Sequence, residues 1–350
     1  KSNGLQIFGT SATDRITAAG TLTIDTAQSP VVLNCADTTG INNLTMNSGS
    51  GRVLRLGSAT TIGGDLTLSA GEVNTDSSNN YALTVNGDVI ITGGGLVCNS
   101  STVSVDSFTI SSGGILSAPD SSGSLTLNGT KNAWSFQNNS TGFNHNNGTI
   151  TQTNAGHIKS VSSNPMYNFI MNSSSSDSHE AVFRPSSGTD CVIAANEVTV
   201  TRGIVKLNTV TNNASMGSLK IGSTGTFQAS SGTTTVSKEA DTGGTDFMFH
   251  NDGTFTHNDG KFVFDDAGLS SSSNVRCSSS FYDVEITMGS FALISHHNMN
   301  VARDFTVTTG TYSDGSNGFT ITGDVSVANG ATLNLSNSST QTKTLGGLHL

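Results

Sequence analysis

The residues best suited to do chemistry in this chain are two histidines set in matching contexts. His145 stands in "FNHNNGTITQ" (143–152) and His257 in "FTHNDGKFVF" (255–264). An imidazole can ligate a metal ion, but a metal site needs three or four donors that converge. The neighbours are Asn144, Asn146 and Asn147 in one copy and Asn258 and Asp259 in the other. Short amide and acid side chains of this kind hydrogen-bond the backbone of turns. The pattern therefore reads as a structural turn, and no metal is assigned. His296 and His297 are adjacent, so on a strand their rings would point to opposite faces and could not share an ion.

The carboxylates Asp65, Asp88, Glu197, Asp283, Asp304 and Asp324 form a second set, each at the head of a short alternating segment. Stacked in a row, they would suit Ca²⁺ binding or the paired-carboxylate chemistry of glycosidases. The repeat pattern of calcium-binding β-rolls is absent, and stacked like charges repel. These acids are expected to be turn-forming and solvated. Asp177, His179 and Glu180 sit together in "SDSHEAVF" (176–183), which reads as a polar loop. Cys191 lies beside Asp190 with no basic neighbour, so nothing activates its thiol. Cys35, Cys98, Cys191 and Cys277 are far apart with no CxxC pair, which disfavours zinc and favours buried free thiols over disulfides between stacked strands. Trp134, in "NAWSFQNN" (132–139) with Phe136, could stack on a sugar but reads as wall or core. No phosphate loop, dinucleotide fingerprint or Gly-x-Ser-x-Gly elbow is present. The sequence assigns no catalytic residue, no cofactor and no metal, and the chain is read as not an enzyme.

What must position these residues is legible in composition and repetition. Only 11% of the 350 residues are charged, against about 25% in ordinary globular proteins. There are 40 Gly, 4 Pro and 1 Trp. The apolar residues fall in short alternating runs such as "GTLTID" and "GFTITGDVSV", the period of half-buried strands. A net charge of −10 without basic clusters argues against a nucleic-acid partner. No apolar run is long enough for a membrane-spanning helix, and membrane insertion is not expected. The chain starts at Lys1 and stops at "LGGLHL", so it reads as a piece of a longer polypeptide.

A short unit recurs as "DLTLSAG" (65–71), "DVIITGG" (88–94), "EVTVTRG" (197–203), "DVEITMG" (283–289) and "DFTVTTG" (304–310). Copies come about 20–25 residues apart, which suits one coil of a β-solenoid and is too short for a propeller blade. A longer period overlies it. Blocks that begin near Ile41, Tyr167 and Tyr282 make Asn43, Asn168 and Asp283 equivalent, 125 and 115 residues apart. Both His-Asn elements fall near the end of such a block. The fold class is all-β, a right-handed parallel β-helix or related β-solenoid of about fifteen coils. It divides into N-terminal coils or the continuation of an upstream solenoid at 1–40, super-repeats at 41–160 and 161–275, and a truncated third at 276–350.

Super-repeats with these "NLT…GDLT…HNxG" elements resemble large repetitive β-solenoid virion and fibre proteins of environmental phages, over roughly residues 41–350. A more distant similarity is to β-helical stalks of bacterial surface adhesins. The resemblance implies a virion or extracellular, cell-surface location and a role as rigid spacer and adhesion surface. It further implies partners that are structural subunits of the same assembly, in a homo-oligomer such as a trimer or filament, with a host-surface glycan as a further partner. It carries over no catalytic residues. The alternatives are a bacterial or archaeal adhesin or filament subunit and, third, a polysaccharide-degrading β-helix enzyme.

Overall fold

A computed structural model of the chain describes residues 4–7, 18–35, 41–129, 134–159, 161–185, 189–207, 212–240, 246–336 and 341–350. These residues form 32 strands and no helix. Parallel strands stack as a β-solenoid of about 14 turns, one fewer than the sequence period suggests. Coil length varies, because a solenoid fixes the strands and leaves the corners free to lengthen. Val89 to Phe108 is a short step up the stack and Phe108 to Phe136 a long one.

The chain separates into two compact units, Lys1–Tyr167 and Asn168–Leu350. The division falls near the expected end of the first super-repeat at residue 160. In the first unit each complete coil contributes three strands, so three inward columns run up the stack. One column is Leu54, Val73, Leu96, Leu116 and Phe143. A second is Ile62, Val85, Val105, Leu127 and Gln152. The third is Leu44, Leu66, Val89, Phe108, Phe136 and Ile158. The apolar members of these columns are buried, and each fully buried aliphatic or Phe side chain contributes about 1.5–3 kcal/mol relative to exposure.

The same logic builds the second unit. Ala214, Thr234, Phe262, Val284, Phe305 and Val325 form one column. Val198, Leu219, Phe249 and Val275 form another. Val205, Phe227 and Phe255 begin a third face. Strand Leu83–Ile91 shows why the sequence does this: Leu83, Val85, Val89 and Ile91 point in, and Thr84, Asp88 and Ile90 alternate with them. The closing Gly of four of the five short units turns the corner in a left-handed conformation, with φ of 80° at Gly71, 100° at Gly203, 53° at Gly289 and 78° at Gly310, which L-residues with a side chain rarely adopt; Gly94 does not.

Candidate functional site

Both His-Asn elements fold identically. Asn146 and Asn147 have φ of 47° and 57°, and Asn258 and Asp259 have 49° and 57°. The Gly148 amide donates to the His145 carbonyl at 2.8 Å, and the Gly260 amide to the His257 carbonyl at 3.0 Å. Two successive left-handed residues closed by such a bond are the pattern of a type I′ turn, which demands Asn, Asp or Gly. The imidazoles are part of the turn: His145 Nδ1 accepts from the Asn147 amide at 2.9 Å, and His257 Nδ1 from the Asp259 amide at 3.0 Å. Asn146 and Asn258 then reach one coil down, donating to the Ala118 and Ala229 carbonyls at 2.6 and 2.7 Å.

The structure adds a partner that the motif does not contain. His145 stacks on Tyr167 with ring centroids 5.2 Å apart, and His257 on Tyr282 at 5.5 Å. Both tyrosines stand where the sequence period sets the start of a super-repeat. The shared Tyr at the block starts was the available signal, but its contact with the preceding His depends on coil register.

The acids keep the solvent exposure expected at Asp304 and Asp324, 48% and 61%, while Asp283 is buried. They form a vertical hydrogen-bonded ladder. The Asp65 amide donates to Asn43 Oδ1 at 2.8 Å, and the Asp88 amide to Asp65 Oδ1 at 2.9 Å. In the second unit the Asp304 amide donates to Asp283 Oδ1 at 3.2 Å, and the Asp324 amide to Asp304 Oδ1 at 3.0 Å. Asp65, Asp283 and Asp304 thus cap the backbone of the coil above, whereas Asp88 accepts from Ser107 Oγ at 2.8 Å. Asp283 is itself buried and pairs with Arg303, whose Nε lies 2.7 Å away. The same guanidinium lies 3.5 Å from Asp304 and 4.9 Å from the centre of the Tyr282 ring, which offsets the like-charge stacking. Glu197 departs from the pattern: its carboxylate accepts from Thr199, and Asn196 bridges to Asn168 at 2.8 Å instead. Asn168 Oδ1, the counterpart of Asn43 Oδ1, is taken by the Asn196 side chain.

This ladder explains the Gly that precedes the acid. A Cβ at Gly64 would lie 2.2 Å from Asn43 Oδ1, and one at Gly87 would lie 2.2 Å from Asp65 Oδ1. Gly64→Ala is expected to cost about 1–3 kcal/mol through overpacking. Adding Asn43→Ala removes the nearest clashing atom and leaves only the Asn42 carbonyl at 2.9 Å, so the double variant should be more stable than the sum of the two losses. Denaturant midpoints of the four-member cycle check this, and strict additivity would refute the steric account.

The other candidate residues are dispersed. Asp177 pairs with Arg202, Glu180 with Lys206 at 2.8 Å, and His179 Nδ1 lies 3.0 Å from Ser173 Oγ. His296 and His297 lie in a bend after strand Asp283–Ser295, not on a strand. His296 Nε2 is 2.9 Å from Asn274 Oδ1. Trp134 packs edge-on against His157 at 5.5 Å in the wall, and Phe136 is buried between Phe108 and Phe143. Two surface grooves, about 460 Å³ beside Phe143–His145 and about 720 Å³ beside Ser326–Asn329, have no Asp or Glu in their lining.

All four cysteines are buried and unpaired with one another. Burial pushes the thiols of Cys191 and Cys277 up to about 12, and those of Cys98 and Cys35 above their ordinary value. A thiolate is the reactive form. Ellman's reagent should therefore titrate none of them in the folded chain and all four in denaturant; rapid native labelling would contradict the burial. No family, curated protein or solved structure matches the chain.

Proposed function

We propose that this chain is a rigid, non-enzymatic segment of a phage virion fibre, working as a spacer and adhesion surface outside the cell. The observation that carries this reading is that the recurrent residue types are used within the chain itself. The His-Asn turns, the acid ladder and the glycines all bind one coil to the next. Parallel ladders satisfy the peptide groups coil by coil, and inward apolar columns fill each unit. Such a stack resists bending and offers proteases few extended loops. Its partners are structural subunits of the same assembly, including further copies of the chain in a trimer or filament.

Immunogold electron microscopy of source material, with an antibody raised against the chain, tests the location. Gold on particles at a tail or capsid vertex is the expected result. Gold along the cell envelope or on filaments would overturn the virion reading in favour of a bacterial or archaeal surface adhesin. Release of oligosaccharides from a host polysaccharide by the purified chain would overturn the non-enzymatic part.

A further inference from the structure

Asn–Gly pairs recur in the turns of this chain, and such a pair can react with itself. The glycine amide nitrogen attacks the asparagine side-chain carbonyl, and glycine puts no side chain in the way. Five pairs lie wholly within the described residues: Asn86–Gly87, Asn128–Gly129, Asn147–Gly148, Asn317–Gly318 and Asn329–Gly330. Asn86, Asn147 and Asn329 are exposed, and Asn128 and Asn317 are half-buried, so exposure alone does not single one out.

The backbone does. A glycine N–H that is donated to an acceptor must leave it before the nitrogen can turn onto the neighbouring side chain. Gly87 donates to the Gly64 carbonyl at 2.9 Å, Gly129 to the Asp106 carbonyl at 2.8 Å and Gly148 to the His145 carbonyl at 2.8 Å. Gly318 donates to Asn298 Oδ1 at 2.8 Å. The Gly330 amide has no hydrogen-bond partner among the described residues; the bond that closes its turn runs from the Ala331 amide to the Ala328 carbonyl. Space separates the pairs in the same way. A Cβ at Gly87, Gly129, Gly148 or Gly318 would lie 2.2, 2.7, 2.0 or 2.9 Å from its nearest neighbour, whereas one at Gly330 meets nothing within 4 Å.

We propose that Asn329 is a self-modification site, which deamidates in the folded chain while the stacked coils hold the other four pairs. The Gly330 nitrogen forms a bond to Asn329 Cγ, the bond from Cγ to the side-chain nitrogen breaks, and ammonia leaves with the former amide proton. The product is a five-membered succinimide. Water then opens the ring. Attack at Cγ gives aspartate with the main chain unchanged, and attack at the backbone carbonyl gives isoaspartate with the main chain routed through Cβ. Nothing is oxidised or reduced, and water is the only co-reactant. Either product adds a negative charge to a chain whose net charge is already −10.

The test is to incubate the full chain at mildly alkaline pH, folded and in denaturant. Peptides from an acidic digest are then resolved by mass spectrometry, with aspartate and isoaspartate forms separated. In the folded chain the Asn329 peptide should convert roughly tenfold faster than those of Asn86, Asn128, Asn147 and Asn317, because only its glycine amide has no bond to break first. In denaturant the five rates should converge. Asn329→Ser should abolish the fast product and leave the slow ones. Conversion of Asn86 or Asn147 as fast as Asn329 in the folded chain would show that exposure sets the rate and would overturn the proposal. So would an Asn329 peptide that stays intact in the folded chain, or a lead for Asn329 that persists undiminished in denaturant.

Discussion

Phe249→Ala is expected to destabilise the second unit by about 3–5 kcal/mol, the range for removing a fully buried aromatic ring. Phe249 is 0% exposed. Its ring lies within 5.2–5.7 Å of those of Phe255, Phe262 and Phe281, and Phe264 packs on Phe262 and Phe281. Five phenylalanines from consecutive coils thus share one interior cluster, and each stacked or edge-on pair adds about 0.5–1.5 kcal/mol beyond area burial. A solenoid distributes stability between nearest-neighbour coils, so the damage should be local. Hydrogen exchange should show protection falling between Phe247 and Phe281 while the first unit keeps its own. Phe136→Ala, whose ring meets only Phe108 and Phe143 among the described phenylalanines, should cost less. An equal loss for the two variants, or loss of protection spread evenly over the chain, would contradict the cluster argument.

Asp314→Asn is the second large effect. The Asp314 carboxylate is 1% exposed and pairs with Lys343, itself 19% exposed. Its oxygens accept from the Ser336 amide at 3.0 and 3.1 Å, from Ser336 Oγ at 3.2 Å and from the Ser316 amide at 3.0 Å. One acid therefore joins the corner after Phe305–Ser313 to two later segments. Removing one partner of a buried pair costs about 3–5 kcal/mol, because the remaining charge stays desolvated; the partial exposure of Lys343 puts the expectation near the lower bound. Combining Asp314→Asn with Lys343→Met should cost less than the two single changes together.

This carboxylate also sets a pH dependence. Burial pushes its pKa up, but Lys343 and the Ser336 and Ser316 donors outweigh burial and hold it below the ordinary carboxylate range. A depressed folded value means the contribution is complete above the unfolded pKa of about 3.9 and is lost as pH falls through the folded value. The gap in stability between the parent chain and Asp314→Asn should therefore be constant near neutrality and shrink in acid. Urea melts at neutral and acidic pH read it directly. A gap that persists unchanged well below the carboxylate range would show that charge is not what Asp314 contributes.

Much of this architecture was legible in the chain. Alternation in segments such as "LTVNGDVII" (83–91) fixes which side chains face in, because successive residues on a strand must point to opposite sides. Recurrence of the acid-led unit about every 20–25 residues points to a coil, because that period with strand alternation throughout is too short for a propeller blade. The paired "HNNG" and "HNDG" are legible as turns, because two left-handed residues in succession admit few residue types.

What the acids and histidines do there was not legible. The acceptor for the Asp88 amide is Asp65 Oδ1 and the partner of His257 is Tyr282, each one coil away. Adjacency of that kind depends on how many residues every intervening corner consumes, and the corners vary. The same uncertainty hid the tie between Asp314 and Lys343. The sequence alone determines the coil, since period and alternation are local properties of the backbone. Only the tertiary structure decides which side chains meet, because stacking register is a sum over loops that no local rule constrains.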